Sequence, residues 1–451
     1  MIDKAFVRLT LIKSDEQRAV GVSFLIVFLL MASYFVLRPV RDAMASDWTD
    51  AEVSLLWNLQ FFLSAALVAL YSLCISRLPF RWVVPTVYGG FATSFVLFFY
   101  VTPLLADPTW VEKGFYLWVA AFGLFNLSVF WSFMADTFRR EQGQRLFAII
   151  GSGASAGAIL GPGIPTLFAG SLGLDKLMLI AALGLLLVVP LIVYVRRLKL
   201  TQLGNVDAEV DFAEHRISGD WWSGFRDVLS KPYLLAIAAF IVLYVFVGSF
   251  VYFEQKNLLA AYSRPERAQI LGGIDWIVNS LTFLFAFLLT GRLVQRLGMA
   301  TTLALVPVAV MLGLLVLAAA PSIVVLLALQ ATRRVGNYAV TRPARELLFT
   351  QVTTEERFKA KPVIDVVVYR GGDAISGSLF ALLTEGVGLG LAAVAIVGAC
   401  IAAVWTVTGV FLGRLFDNVA FRQTSQTRSA ELQMNASFDP PTSNSVTPLS
   451  H

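Results

Sequence analysis

Apolar stretches of about 20 residues recur along the whole chain and are separated by short polar segments. A helix of about 20 apolar residues can cross the hydrocarbon core of a bilayer while satisfying its own backbone hydrogen bonds. Counting such stretches predicts twelve membrane-spanning helices. The predicted spans are 20–37, 53–75, 82–103, 115–135, 147–169, 175–195, 233–253, 270–290, 300–319, 322–345, 363–384 and 387–412.

Composition supports an all-α polytopic membrane protein. Of the 451 residues, 57% are hydrophobic and 14% are charged, whereas roughly a quarter are charged in a soluble domain. The net charge of +5 is not gathered into a basic run, so we expect the lipid bilayer as partner and no nucleic acid. Both histidines, His215 and His451, lie outside the predicted spans, and we expect neither a metal nor another cofactor.

Lysine and arginine are unevenly distributed between alternate polar segments. With the N-terminus inside, the seven inside segments hold 25 of the 35 basic residues. Segments that stay in the cytoplasm are enriched in lysine and arginine. The sequence therefore predicts that both termini are cytoplasmic.

The longest internal polar segment, residues 196–231, divides the spans six and six. Its aromatic residues Trp221, Trp222 and Phe225 favour a helix at the membrane surface in its second half. The predicted organisation is a cytoplasmic segment (1–19), a six-helix bundle (20–195), a cytoplasmic linker (196–231), a second six-helix bundle (232–417) and a disordered cytoplasmic tail (418–451).

One stretch occurs in two related versions. In residues 126–163 an apolar helix, a basic turn and a second helix follow one another, and the second helix carries a small residue every fourth position. Such a face lets two helix backbones approach closely in lipid. A looser copy, with Gly371, Gly372 and Gly377, follows about 210 residues later. The structural motif of the first copy consists of Gly153, Gly157, Gly161 and Pro162.

A duplicated unit of six spans on each side of a linker is typical of the major facilitator fold. In that fold two bundles enclose a cavity near the middle of the bilayer and rock to open it to either side. The turn GRLVQRLG (Gly291 to Gly298) resembles the loop motif of that family, although Gln295 replaces the usual aspartate. We therefore expect transport by alternating access.

Charged residues at membrane depth indicate where a substrate or a gate lies. The first span ends on Arg38, Arg41 and Asp42, and the seventh ends on Glu254 and Lys256. Guanidinium groups can bind carboxylate or phosphate through two parallel hydrogen bonds. The alternative is an interfacial clamp in which an arginine pairs with Asp42.

Further charges lie inside the later spans. The tenth span carries Arg333 and Arg334, with Asn337 one turn after Arg333. On the eleventh span, Asp365, Tyr369 and Asp373 are spaced by four residues, which predicts one helical face. Arg370 precedes Asp373 by three residues, and Asp275 lies on the eighth span.

These charges are nearly balanced, with six cations and five anions. A balanced set fits salt-bridged gates as well as an anion site, and both interpretations stay open. The predicted substrate-binding residues are Arg38, Arg41, Lys256, Arg333, Arg334, Asn337 and Arg370. The residues predicted for gating or proton coupling are Asp42, Glu254, Asp275, Asp365 and Asp373.

Motifs of nucleotide hydrolysis and of membrane enzymes do not occur. GSGASAG (Gly151 to Gly157) lacks the Lys-Ser/Thr pair that holds phosphate and magnesium in a P-loop. The spans contain no histidine for a Ser-His-Asp arrangement or a metal site. We expect a protein that is not an enzyme, and any nucleotide would be cargo.

Four stretches together resemble the ATP/ADP translocase family of plastids and intracellular bacteria, in particular its shorter relatives in free-living bacteria. They are SDEQRAV (14–20), SYFVLRPVRDAM (33–44), FWSFMADTFRREQGQRLFAIIGSGASAGAILGP (130–162) and RPARELLFTQVTTEERFKAKPVIDVVVYRGGD (342–373). The resemblance implies a major facilitator in the bacterial inner membrane that exchanges nucleotides without hydrolysing them. It implies a transport role for Arg38, Arg41, Glu254, Lys256 and Arg333.

Three readings remain open at this point. The first is an anion exchanger with ATP and ADP as first candidates, and the second is a proton-coupled permease for another organic anion. In the second, Asp365, Asp373 or Asp275 would carry the proton. The third is a non-transporting sensor or assembly partner, although the chain lacks a large soluble domain. By analogy with other major facilitators we expect a monomer.

Overall fold

The architecture follows from a computed structural model that describes residues 12–77, 80–203, 223–288, 290–353, 356, 359–361 and 363–437. This part of the chain is helical and contains no β-strand. Its helices are α1 (Gln17–Ala45), α2 (Asp50–Arg77), α3 (Phe80–Val101), α4 (Thr109–Thr137), α5 (Arg140–Leu160), α6 (Gly163–Leu172), α7 (Leu174–Thr201), α8 (Ser223–Ser230), α9 (Pro232–Leu259), α10 (Arg264–Leu288), α11 (Thr290–Ala319), α12 (Ile323–Gly336), α13 (Arg342–Leu348), α14 (Tyr369–Ala381) and α15 (Leu391–Ser437).

Short 3-10 and π segments connect some of these helices. The 3-10 turns are Thr102–Leu104 and Phe349–Gln351. The π turns are Asn337–Thr341, Val363–Val368 and Leu382–Gly386. All three of these π turns belong to the second half of the chain.

Eleven helical segments of the described residues are long and apolar enough to cross a bilayer, and they correspond to every predicted span except the tenth. The tenth span consists of α12, the π turn Asn337–Thr341 and α13. Pro343 explains the interruption, because proline has no N–H to donate and its ring displaces the carbonyl four residues earlier. The prediction of an all-α polytopic membrane protein is confirmed.

Buried apolar side chains form two large clusters, one drawn mainly from α1–α7 and the other from α8–α15. We call these groups of helices the N-terminal half and the C-terminal half. In the first, α1 packs against α5 and α7; in the second, α15 packs against α9 and α11. The halves meet where α6 packs against α10 and where α2 packs against α14.

The glycines of the first copy of the repeated stretch face the backbone of α1. A methyl group at Gly153 would lie 2.5 Å from the carbonyl oxygen of Phe24, and one at Gly161 would lie 2.7 Å from that of Ala32. A methyl group at Gly157 would overlap the carbonyl of Phe28. The lack of side chains is therefore what lets α5 and α1 touch.

The second copy packs differently. A methyl group at Gly371 would meet no atom within 4 Å, and at Gly372 and Gly377 it would meet side chains and not backbone. Pro162 separates α5 from α6, and its carbonyl accepts a hydrogen bond of 2.7 Å from the Thr166 hydroxyl. The same carbonyl also accepts a hydrogen bond of 3.2 Å from the backbone N–H of Thr166, so it is satisfied by the first turn of α6.

The polar segments before and after the second bundle, the linker 196–231 and the tail 418–451, both contain helical residues. α15 continues to Ser437, so residues 418–437 are helical where the sequence predicted a disordered tail. That stretch contains neither glycine nor proline, the two residues least compatible with a helix. In the linker, Phe225 lies on α8, whereas Trp221 and Trp222 lie outside the described residues.

Candidate functional site

A cavity of about 310 Å³ lies between the two halves. The N-terminal half lines it with side chains of α1, α2 and α4, and the C-terminal half with side chains of α9, α12, α14 and Tyr338. Small-molecule sites usually measure roughly 300–1,000 Å³. The cavity is therefore large enough for a small ligand, and side chains from both halves can contact that ligand.

Arginine dominates the charge of the cavity. Four arginines line it, Arg38, Arg41, Arg333 and Arg370, and two aspartates, Asp42 and Asp373, oppose them. Four positive charges minus two negative charges leave a net charge of +2. Such a surplus of positive charge in a cavity favours an anion.

Asp42 holds the two arginines of α1. Its Oδ1 accepts hydrogen bonds from Arg41 Nη2 at 2.7 Å and from Arg41 Nε at 2.9 Å. Arg38 Nε lies 3.8 Å from Asp42 Oδ2, and Arg38 Nη1 lies 3.6 Å from Asp275 Oδ1 across the interface between the halves. Arg38 is thus shared between two carboxylates. Both contacts are long, so an incoming anion can compete with these carboxylates for Arg38.

Arg333 has no carboxylate partner among the described residues. Its Nη2 and Nε donate to the side-chain oxygen of Gln330, at 2.7 and 3.0 Å. Nη1 would lie 3.0 Å from a methyl group at Gly248, so this glycine leaves room for the guanidinium beside α9. Arg333 therefore enters the cavity with a charge that no carboxylate of the described residues pairs with.

The eleventh span does not present its charges on one face. Tyr369, Arg370 and Asp373 line the cavity, and Arg370 Nη1 lies 3.4 Å from Asp373 Oδ2. Asp365 lies 3.3 Å from Arg345 and is not part of the lining. The π turn Val363–Val368 explains this difference, because its wider turn changes the register that the four-residue spacing assumes.

Arg334 and Asp275 lie beside the cavity. Arg334 is 6% exposed and forms an ion pair with Asp275 in a smaller cavity of about 40 Å³. Asn337 begins the π turn after α12 and lines neither cavity. The predicted substrate-binding residues of the tenth span are therefore separated, with Arg333 in the main cavity and Arg334 behind it.

A chain of aromatic side chains connects the halves through hydrogen bonds. Trp57 Nε1 donates to the Tyr116 hydroxyl at 2.8 Å, which lies 3.1 Å from the Tyr252 hydroxyl. The Tyr252 hydroxyl in turn donates to Asp42 Oδ1 at 3.3 Å. Sequence reasoning did not identify Tyr116 as a cavity residue, because an interfacial tyrosine is common at such helix ends. The rings offer surfaces for stacking beside the arginines.

Lys256 joins the halves and does not line the cavity. Its Nζ lies 2.7 Å from Asp50 Oδ1 and donates to the Trp48 carbonyl, also at 2.7 Å. Lys256 is 4% exposed and Glu254 is 1% exposed. We call the end of the molecule that contains Asp47, Asp50 and Lys256 the Asp47 end.

Further ion pairs close the cavity at the Asp47 end. Arg264 pairs with Asp47 and with Glu112, and Arg267 also pairs with Asp47. Arg267 additionally donates to the Ala43 carbonyl at 3.2 Å. Each contact joins the C-terminal half to the N-terminal half. None of these four side chains was among the predicted site residues, because charges in loops are common and their partners lie more than 150 residues away.

The ion pairs that the structure describes at the opposite end each lie within one half. The pairs are Glu16–Arg145 and Asp136–Lys199 in the N-terminal half, and Lys231–Asp227, Lys231–Glu356, Arg345–Glu346, Arg345–Asp365 and Lys361–Glu346 in the C-terminal half. Among the described residues, no group of three or more His, Cys, Asp or Glu side chains is arranged to hold a metal ion.

The sequence and the fold are similar to known transporters. The chain is 19% identical to ADP,ATP carrier protein 1 of Chlamydia pneumoniae over 478 residues, which cover 90% of this chain and 92% of that protein. Its fold is similar to the nucleoside transporter NupG, with a TM-score of 0.57, 14% identity and coverage of 89% and 99% of the two chains. It is also similar to a bacterial homologue of the lysosomal transporter Spinster in an inward-facing, occupied conformation, with a TM-score of 0.55, 15% identity and coverage of 91% and 97%.

These relatives are transporters, in agreement with the expectation that the chain is not an enzyme. Residues 23–357 match the family described as the Major Facilitator Superfamily. This range covers most of both halves and all the helices that contribute to the cavity except α14. The chain belongs to the Major Facilitator Superfamily.

Proposed function

We propose that this transporter exchanges phosphate-bearing anions without hydrolysing them, and that nucleotides such as ATP and ADP are the first candidates. The observation that carries the proposal is Arg333, a cavity cation with no carboxylate partner among the described residues. Arg38 lines the same cavity as Arg333, and its own contacts with Asp42 and Asp275 are long, at 3.8 and 3.6 Å. Together they can surround a phosphate group with guanidinium donors.

The aromatic lining supports a cargo that carries a ring. Tyr34, Trp57, Tyr116, Tyr244, Tyr252, Tyr338 and Tyr369 all line the cavity. Aromatic side chains stack on nucleobases, and stacking contributes roughly 1–3 kcal/mol per base. A nucleotide site must bind the phosphates and stack on the base. In this cavity arginines can bind the phosphates, and tyrosines can stack on the base.

The names of similar proteins point to the same class of cargo. The chlamydial relative is an ADP,ATP carrier, and NupG is a nucleoside transporter. A nucleoside has no phosphate and requires no surplus of arginine. The net charge of +2 in this cavity therefore favours the phosphorylated form as cargo.

The charge distribution in the loops supports an orientation with both termini in the cytoplasm of a bacterium. In that orientation the Asp47 end faces away from the cytoplasm, and the structure represents a state closed to the outside. The transporter then lies in the inner membrane and works as a monomer, since each chain contains both halves of its cavity.

Uptake by proteoliposomes tests the proposal. Vesicles loaded with unlabelled ATP should take up labelled ATP or ADP, and empty vesicles should take up at least about tenfold less if transport is an exchange. Arg333→Gln should lower uptake by about tenfold or more, because a charge-assisted hydrogen bond contributes about 1.5–3 kcal/mol. Arg197→Gln removes an exposed arginine at the end of α7 and should leave uptake unchanged.

Competition by unlabelled compounds then identifies the cargo class. Nucleotides that compete in preference to nucleosides, pyrophosphate or dicarboxylates support the proposal. Uptake of another organic anion in place of nucleotides would contradict the nucleotide assignment. Equal uptake by loaded and empty vesicles would contradict exchange.

A further inference from the structure

Glu254 is a buried carboxyl group without a partner. Its Oε1 has no hydrogen-bond partner among the described residues, and the side chain takes part in none of their ion pairs. By contrast, the other carboxylates predicted for gating or proton coupling are paired: Asp42 with Arg41, Asp275 with Arg334, Asp365 with Arg345, and Asp373 with Arg370. An ionised carboxylate that is buried and unpaired is strongly unfavourable, so such a group binds a proton instead.

The position of Glu254 on α9 separates it from the cavity. Tyr252, two residues earlier, points into the cavity, and two residues correspond to about 200° around an α-helix. The preceding turn on the side of Glu254 carries Phe250 and Val251, both fully buried. Phe250 packs against Phe380 of α14, with ring centroids 5.2 Å apart. Glu254 is therefore buried on a side of α9 that faces away from the cavity, one turn after buried apolar side chains.

Among the residues whose side chains the structure describes, no cation on the elements that pack against α9 lies within ion-pair distance of Glu254. Those elements are α1, α8, α12, α14, α15 and the π turn Val363–Val368. The negative charge of Asp50, on α2, repels a negative charge on Glu254. The ammonium group of Lys256 pairs with Asp50. The charged residues with described side chains on the packing elements are Arg18, Arg38, Arg41, Asp42, Arg226, Asp227, Arg333, Arg334, Asp365, Arg370, Asp373, Arg414 and Asp417.

Glu254 is also next to a contact that closes the Asp47 end. Lys256, two residues later, holds Asp50 and the Trp48 carbonyl of the N-terminal half. When the halves separate at this end, Lys256 loses both partners and water reaches the end of α9. An ionised Glu254 would then be hydrated and would stabilise the freed ammonium of Lys256 nearby.

We propose that Glu254 binds a proton while the Asp47 end is closed and releases it when that end opens. Protonation of this carboxyl then stabilises the closed state, and deprotonation favours the open state. The proposal goes beyond the proposed exchange of nucleotides and does not depend on the identity of the cargo. It adds a proton-binding site behind the cavity to the transporter.

The distance between the halves at the Asp47 end tests the proposal without any substrate. In a cysteine-free background (Cys74→Ser, Cys400→Ser), spin labels at Leu105 and Val387 report on the N-terminal and C-terminal halves, since both side chains are exposed. Electron–electron double resonance on the reconstituted protein should show that the population of molecules with the longer distance between the labels grows as the pH rises from 5.5 to 8.5. A single titrating group changes the ratio of the two states by at most about tenfold per pH unit.

Variants of Glu254 separate this group from other titrating residues. Glu254→Gln should show the short distance at every pH, whereas Glu266→Gln, a change at an exposed carboxylate on α10, should respond like the unmodified protein. Glu254→Asp should keep a response with a shifted midpoint, and it answers the question even if Glu254→Gln does not fold. A pH response that persists unchanged in the Glu254 variants, or no response in the unmodified protein, would overturn the proposal.

Discussion

Arg264 donates from Nη1 and Nη2 to the two carboxylate oxygens of Glu112, at 2.6 and 3.0 Å, and so connects the C-terminal half directly to the N-terminal half. The Glu112 side chain is 3% exposed and that of Arg264 is 40% exposed. A planar guanidinium fits a carboxylate in this two-pronged manner better than an ammonium group does. The pair is therefore a specific closure of the Asp47 end.

Replacing Glu112 by glutamine should weaken that closure. Breaking a buried ion pair costs roughly 3–5 kcal/mol, but the exposure of Arg264 reduces this to about 1–2 kcal/mol. We expect the open population at the Asp47 end to rise by roughly tenfold, measured with the same spin-label pair. Glu52→Gln is the control, because Glu52 pairs with Lys113 at the same end but within one half. An equal effect of the two substitutions would show that the pair between the halves has no special role.

The closed state should also lose stability in acid through Asp47. Partial burial raises the pKa of the Asp47 carboxyl, but hydrogen bonds from Arg267 and Arg264 outweigh it and hold the pKa below its usual 3.8. Because the pKa of Asp47 is lowered in the closed state, ionised Asp47 stabilises that state at pH values above 3.8. This stabilisation disappears as the pH falls through the lowered pKa. We therefore expect opening below about pH 4, opposite in sign to the response proposed for Glu254. In Asp47→Asn this acid opening should be missing from the spin-label distances.

Close contact between α5 and α1 should make Gly157 intolerant of a side chain. Gly157→Ala places a methyl group on the carbonyl of Phe28, and overpacking of this kind costs about 1–3 kcal/mol. The thermal unfolding midpoint should fall by several degrees, roughly 3 °C or more. Gly371→Ala is the matched control, since its methyl group meets no atom within 4 Å. If both variants unfold at the same temperature, the small-residue face does not contribute to packing.

Neutralising Asp42 should strengthen anion binding. Asp42→Asn leaves Arg41 without its carboxylate partner and Arg38 with Asp275 alone, and it raises the net charge of the cavity lining from +2 to +3. We expect ATP to bind about three- to tenfold more tightly at low salt, with the gain decreasing at high salt. Because a more tightly held cargo leaves more slowly, exchange should slow. Calorimetric titration and vesicle uptake measure the two effects, and weaker binding would mean that Asp42 serves the cargo directly.

The spans and the cavity arginines could be predicted because their signals are local in the sequence. Twenty apolar residues identify a span regardless of what it packs against, and an arginine inside such a stretch is conspicuous. Arg333 and Arg370 were identified in this way, and Arg38 and Arg41 were identified because they directly follow the first span. All four line the cavity.

The remaining features depend on pairing and on helical register. Lys256 looked like a cavity residue until the structure placed Asp50 beside it. Asp365 was assigned to the wrong face because spacing by four residues assumes an uninterrupted α-helix, and the π turn Val363–Val368 breaks that assumption. Arg264 and Glu112 are separated by 152 residues, so nothing local to either residue indicates its partner.

The π turns have a consequence for the history of the chain. A π turn holds one residue more than the α-helical turn that it replaces. If the two halves descend from one six-helix unit, single-residue insertions at Asn337–Thr341 and Val363–Val368 distinguish the second copy from the first. Such insertions rotate the side chains that follow them by about 100°. The π turn Val363–Val368 then sets the register at which Arg370 and Asp373 reach the cavity.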